Sequence, residues 1–158
     1  MFNLSISPLR LKILIQETNK REFLIKLLSC LPKTRKMKLL TEILIGFIAF
    51  EHLGFLWLEM FAWETSGKKI FKGAFPPELF KPTRFMAANQ GLYNGFLAAG
   101  LIWCLIIENA EWQANVGIFI LGCIIVAGIF GAFTVSKRIF YIQALPAIIA
   151  LALLLYQA

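Results

Sequence analysis

Four apolar runs, each close to the roughly 20 residues that a helix needs to cross the hydrocarbon of a bilayer, constrain this chain more than any other feature. They lie at about 39–63, 85–107, 116–135 and 139–157. Composition points the same way, with 59% hydrophobic and only 16% charged residues and a mean hydropathy of +0.73. Ordinary soluble domains carry less apolar material, and water would not solvate such a surface. The reading is an all-α integral membrane protein, multi-pass in the cell membrane, whose first partner is the lipid bilayer.

The connections set the topology. SGKKIFKGAFPPELFKPT holds two glycines with Pro76, Pro77 and Pro82, so it reads as a loop. Glu108-Asn109-Ala110-Glu111 is short and acidic, and Ser136-Lys137-Arg138 makes up most of the third connection. Short connections force neighbouring helices antiparallel, which predicts an up-down-up-down four-helix bundle over residues 37–158. Pro146 removes a backbone donor and is expected to bend the last helix near Gln143.

Residues 1–36 form a basic N-terminal extension. Arg10, Lys12, Lys20, Arg21, Lys26, Lys33, Arg35 and Lys36 stand there against Glu17 and Glu22. EFLIKLLSCL suits a short amphipathic helix on a membrane surface, while Met37-Lys38-Leu39 would also make a natural start, leaving the arm as an upstream start of translation. Both readings stand. A signal peptide is not expected, since no apolar core precedes a small-residue cleavage site.

The net charge of +7 is spread among helix ends rather than along a nucleic-acid-binding helix, so no nucleic-acid partner is expected. Lys68, Lys69, Lys72, Lys81 and Arg84, with Lys137 and Arg138, would place those connections in the cytoplasm; the arm pulls the other way. Cys30, Cys104 and Cys123 form no close pair, which argues against a disulfide framework or a zinc site. Cys104 and Cys123 read as small packing residues.

Against this background, EHLGFLWLEMFAWE (51–64) places two glutamates and the chain's single histidine in an apolar run. Successive helix positions diverge by about 100°, so Glu51 and His52 do not face each other. His52 shares its stripe with Glu59 and Trp63, Glu51 flanks it, and Phe47, Gly54 and Phe61 cover the other side. The next helix carries NQGLYNG, where Asn89 with Tyr93 and Gln90 with Asn94 form a polar sector. Gly91, Gly95 and Ala98 are assigned to the opposite side as a small-residue packing stripe. Ala127, Gly131 and Thr134 form the stripe expected of the third helix, and Gln143, Ala147 and Ala150 that of the fourth. Counting rise per residue from the basic face puts Glu59, Asn89 and Gln143 at one depth, with Glu51, His52 and Asn94 deeper. These layers predict a polar cleft in which Glu59 meets Asn89 or Gln143, and Tyr93 and Asn94 extend the network.

An ionisable side chain inside a membrane is expensive and is a functional hypothesis by default. The competing reading is that Glu51 and Glu59 are neutral or hydrogen-bonded and only glue helices together. Function leads modestly for Glu59 and His52, and the two readings are level for Glu51. Asn89, Gln90 and Asn94 serve equally as structural hydrogen-bonders or ligand contacts. His52 and Glu59 are two turns apart, too far to chelate one ion easily, so no metal and no cofactor are expected. Glu64 and Glu78 read as solvated.

At EHLGFLWLEMFAWET, AANQGLYNGFLAAGLIW, GCIIVAGIFGAFTV and QALPAIIALALL the chain resembles the domain of unknown function 1304 family, small predicted membrane proteins of bacteria. The resemblance spans roughly Met37 to Tyr156 and matches Glu51, His52, Glu59, Asn89, Gln90, Tyr93, Asn94, Gln143 and Pro146. It implies a four-span membrane protein, brings no established activity, and leaves the basic arm outside the family pattern. Three functions therefore compete. The first is binding or proton-linked transport of a small or lipophilic molecule in the polar cleft. The second is a membrane-embedded acid–base enzyme acting on a lipophilic substrate, using Glu59 or Glu51 with His52. The third is an accessory subunit whose polar face meets a partner. No nucleophile, cofactor motif or metal set supports chemistry, so the first leads.

Overall fold

The computed structural model describes Glu22, Ile25 and residues 32–73 and 75–157. The expectations placed on the rest of the basic arm, Cys30 included, lie outside the described residues. The chain divides into two compact units, Met1–Met37 and Lys38–Ala158. In the first, the Lys36 amide donates to the Pro32 carbonyl at 3.1 Å, opening the long first helix. The second holds the features described below.

The described residues are helical with short connections. Helix α1 spans Lys33–Phe61, α2 Lys68–Ile70, α3 Arg84–Ile106, α4 Ala110–Thr134 and α5 Leu145–Gln157. A π-helical turn, Trp63–Gly67, follows α1, and a second, Phe140–Ala144, leads into α5. Among the described residues the extended structure is a single bridge between Lys72 and Phe75. Three stretches are long and apolar enough to cross a membrane: Thr34–Phe61, Ala110–Thr134 and Phe140–Gln157. Helix α3 has the length, at 23 residues, but Asn89, Gln90 and Asn94 dilute its first half.

Local chemistry accounts for the helix ends. Asn109 caps α4, its side-chain oxygen accepting from the Trp112 amide at 2.9 Å, and Glu111 in the first turn complements the helix dipole. Near Gln143, where a bend was expected, the chain forms the π turn Phe140–Ala144, two residues before Pro146. Proline cannot donate to the preceding turn, and widening that turn by one residue absorbs the loss.

Small residues set how closely the helices approach. A Cβ on Gly128 would lie 2.9 Å from the backbone nitrogen of Ala144, so α4 and the start of the last helix meet backbone to backbone. Farther along the same pair, a Cβ on Gly117 would lie 2.7 Å from Leu154. On the other side of the core, a Cβ on Gly91 would stand 3.1 Å from the Leu56 carbonyl oxygen, and one on Gly95 would strike the Leu56 side chain. Gly46 faces Leu105 across the same pair. Moving forward along α1 thus moves backward along α3, and the two run antiparallel. One core joins Ile45, Ile48 and Ala49 of α1, Leu101 and Cys104 of α3, Leu121 and Ile124 of α4, and Ala147, Ala150 and Leu154 of α5.

The stripe expected of α4, and the packing role expected of Cys123, need correction. On α4 the buried line runs through Gly117, Leu121, Ile124 and Gly128. Ala127 and Thr134 are exposed, and the Thr134 hydroxyl donates back to the Phe130 carbonyl at 2.8 Å. Only Gly131 of that expected stripe packs, against Ile139. Gly128 wins the interface because it can admit the Ala144 backbone, which the Cβ of Ala127 would not allow. Likewise Cys123 is exposed, while Cys104 is buried as a packing residue.

The connection after α1 is more ordered than its prolines suggest. Trp63 packs against Phe71, Phe75 and Phe80, with ring centroids 5.6, 5.8 and 4.9 Å away. Its indole N–H donates to the Thr83 hydroxyl at 3.1 Å. Gly73 takes a positive φ of 83°, which lets the chain reverse between Lys72 and Phe75.

Candidate functional site

The polar side chains of α1 fall on the face that its periodicity dictates. Thr41, Ile45, Ile48 and His52 are buried at successive turns, and Glu59 lies two turns beyond His52, half-buried. Phe47, Gly54 and Phe61 are exposed on the opposite side, as the sequence indicates.

His52 is fully buried. Its Nδ1 lies 2.9 Å from the Ile48 carbonyl oxygen, a contact that requires Nδ1 to carry a proton and donate it. The neutral ring then presents Nε2 as an acceptor, and this buried atom has no hydrogen-bond partner among the described residues. Phe55 closes one side, edge to face at 5.6 Å between ring centroids. Glu51 is half-buried, and its Oε2 is likewise buried without a hydrogen-bond partner. Such orphaned atoms are rare in native structures, because each forfeits its hydration.

Glu59 is held across the helix pair. Its Oε2 accepts from the Asn94 side-chain nitrogen at 2.7 Å, and Asn94 is 7% exposed. The sequence expectation assigned Glu59 to Asn89 or Gln143, and among the described residues neither bonds to it. Facing, rather than depth, decides the matter. Gly91 sits against Leu56, Glu59 and Met60, and Asn94 follows it by three residues on the same face. Asn89 precedes Gly91 by two and points away.

The same geometry corrects the division of α3 into polar and small-residue sides. Its buried line is Ala87, Gly91, Asn94, Ala98, Leu101 and Cys104, so Asn94 belongs to the packing stripe. Asn89, Gln90 and Tyr93 are exposed, with Tyr93 stacked edge to face on Phe96 at 6.0 Å. Gln143 is half-buried within the second π turn. The expected set is therefore split. Glu59 and Asn94 meet, His52 and Glu51 keep unpaired buried atoms on the same helix, Gln143 stands apart, and Asn89, Gln90 and Tyr93 face outward.

Other polar pairs were not anticipated. Gln113 donates to the Cys104 carbonyl at 3.1 Å while the Cys104 thiol reaches the Gln113 carbonyl at 3.3 Å, clamping the α3–α4 corner. Gln157 donates to the Thr41 hydroxyl at 2.6 Å, tying the end of α5 to α1. Glu64, read as solvated, lies 3.9 Å from Arg84. No sequence spacing indicates these pairs, which join residues brought together only by helix packing; the Asn109 cap was legible from its place before α4. Among the described residues, no group of three histidine, cysteine or acidic side chains gathers to hold a metal ion.

Comparison with known proteins bears on the whole arrangement. The family model described as "Protein of unknown function (DUF1304)" matches residues 46–155, which include every residue of the candidate site. The chain is 32% identical over 123 residues to the uncharacterized protein YpaA of Lactococcus lactis subsp. lactis (strain IL1403), covering 73% of this chain and 96% of that protein. No solved structure matches.

Proposed function

We propose a function from the site itself, because the chain belongs to the DUF1304 family, whose description assigns no activity. The protein is a multi-pass protein of the cell membrane. Its long helices α1, α3, α4 and α5 cross the bilayer as an up-down-up-down four-helix bundle, and α3 crosses despite its amides. The support is the shared core and the antiparallel glycine contacts, which pack α3 alongside its neighbours. Within this bundle the protein binds, and in a proton-linked cycle moves, a small lipophilic molecule bearing a hydroxyl or amine.

The observation that carries this reading is a pair of buried polar atoms without a hydrogen-bond partner among the described residues, Nε2 of His52 and Oε2 of Glu51. A structural hydrogen-bond network would satisfy its own atoms, as Glu59 and Asn94 do. Acceptors left open suit a donor that arrives with a ligand. Glu59, held by Asn94, supplies a further carboxylate that can exchange a proton. An acid–base enzyme would use the same residues, with Glu59 or Glu51 and His52 exchanging protons with a lipophilic substrate.

One observation favours the accessory-subunit reading for a different surface. Asn89, Gln90 and Tyr93 are exposed on α3, where lipid penalises amides and a partner helix would pair them.

The test is mass spectrometry of small molecules extracted from the purified protein. The expected result is a lipophilic donor enriched with wild type and lost from His52→Leu, with both chains folded. Equal extracts from the two proteins refute the proposal.

A further inference from the structure

The loop between α1 and α3 is built as a platform rather than a tether. Trp63, Phe71, Phe75 and Phe80 gather beneath it, Phe80 is 1% exposed, and Phe75 meets Phe80 edge to face at 5.1 Å. Gly67 lies close under Trp63, where an added Cβ would stand 3.2 Å from the indole and press on it. With the aromatic rings turned inward, the cations are left outside. Lys68, Lys69, Lys72, Lys81 and Arg84 are all exposed.

Their neighbours matter as much as their charge. Ile70 lies among the lysines and is 60% exposed, while Phe85 and Met86 are each 74% exposed. The Arg84 guanidinium rests over the Phe85 ring, 4.5 Å from its centroid. Apolar and cationic groups at one level form the pattern of a membrane interface, where side chains enter the acyl boundary while ammonium groups stay among headgroups.

Two carboxylates belong to this platform, Glu64 and Glu78, and Glu64 is engaged by Arg84. Helices α3 and α4 meet through Gly100 against Ile120 and through the Cys104–Gln113 clamp, so they run antiparallel. That direction brings Lys137 and Arg138, also exposed, to the same end as the platform. At the opposite end of the Lys38–Ala158 unit, Glu108 and Glu111 stand in the corner between α3 and α4, and Lys38 is engaged by Glu42 at 3.8 Å. Within the Lys38–Ala158 unit, the exposed lysines and arginines that no carboxylate engages among the described residues gather at the platform end.

We infer that the folded loop over residues 63–83, with Lys137 and Arg138, is a docking surface for the headgroups of anionic phospholipids in the adjoining leaflet. Charge complementarity selects the occupant, since a phosphodiester without a compensating cation offers the acceptor oxygens and negative charge that these side chains lack. The aromatic hub holds the loop in place, so the lysines are presented together rather than on a freely moving chain. The inference rests on the membrane reading above but not on the internal site.

The test uses the full chain in nanodiscs of pure phosphatidylglycerol, pure phosphatidylcholine and an equal mixture of the two. Wild type is expected to melt higher in phosphatidylglycerol and to retain that lipid preferentially from the mixture, as read by native mass spectrometry. Replacing Lys68, Lys69, Lys72 and Lys81 together by Gln should reduce the preference about tenfold or more, while leaving the melting temperature in phosphatidylcholine unchanged. Trp63→Leu, which keeps every charge but removes the hub, should weaken the preference less. Equal retention of both lipids by wild type overturns the proposal, as does a preference that survives loss of the four lysines. An acidic protein that co-purifies and displaces phosphatidylglycerol would assign the surface to a protein instead and also overturns it. Release of the chain from membranes by alkaline carbonate would overturn the membrane reading itself, which separates the two failures.

Discussion

The α4–α5 contact and the α1–α3 contact solve one packing problem with different materials. Gly128 admits the Ala144 backbone, and Gly117 receives Leu154; Ala147 and Ala150 line the α5 side, fully buried. Gly91 and Gly95 admit Leu56 and its neighbours in the same manner, but here Glu59 and Asn94 are built into the contact. In the bilayer setting proposed above, helices gain little from burying apolar surface, so close approach of small residues is the shared device. The difference shows that close approach does not require a carboxylate. The proposed function gives the ionisable Glu59 a use beyond assembly, while its hydrogen bond to Asn94 also joins the two helices.

The comparison can be broken where it is tightest. Gly128→Leu should cost most, about 3 kcal/mol or more, because the obstructing atoms belong to the Ala144 backbone and cannot turn aside. Thermal unfolding in detergent should show loss of the folded state, and a variant that melts like wild type would remove the backbone contact from the account.

Glu59→Leu comes next. It leaves the Asn94 amide buried without its acceptor, at about 1–2 kcal/mol. Asn94→Leu in the same background should recover part of that loss, since both polar partners are then gone. Additive losses measured by the melting temperatures of the single and double variants would mean that the two side chains do not interact.

The smallest effects separate two glycines on one stripe. Gly91→Ala meets the Leu56 carbonyl oxygen, 3.1 Å from the added carbon, and should cost about 1–2 kcal/mol. Gly95→Ala meets only the far end of the Leu56 side chain, which can rotate, and should cost about half as much. Equal melting temperatures for the two variants would show that α1 and α3 approach more loosely than described.

Much of the fold was legible before any coordinates. The apolar runs locate the long helices, but α1 and α4 begin before their runs, at Lys33 and Ala110. Which of the expected residues meet was less legible, since Glu59 pairs with Asn94 while Asn89, Gln90 and Tyr93 are exposed. Asn94 was grouped with Gln90 because the two are one turn apart, yet it also lies one turn from both Gly91 and Ala98. A residue at the border of two stripes is assigned by the neighbouring helix, whose register no single stretch of sequence encodes. The Trp63 platform was hidden for a related reason. Its prolines and glycines correctly mark a chain leaving regular helix, but the inward turn of Phe71, Phe75 and Phe80 depends on rings many residues apart meeting around one indole. His52 was picked out by its cost in an apolar run, whereas its orientation follows from the Ile48 carbonyl one turn earlier.

The central claim is that the polar residues between α1 and α3 are kept for a ligand and its proton rather than for holding the helices together. Glu59→Gln tests this most directly, since glutamine keeps the shape and an oxygen for Asn94 but cannot titrate. The measurement is the melting temperature of the purified variant together with the amount of small molecule it retains, each set against wild type. The account predicts a melting temperature within about 2 °C of wild type with the retained molecule, or its proton-linked movement, sharply reduced. A variant as destabilised as Glu59→Leu, or one that keeps full retention and proton-linked movement, would contradict it.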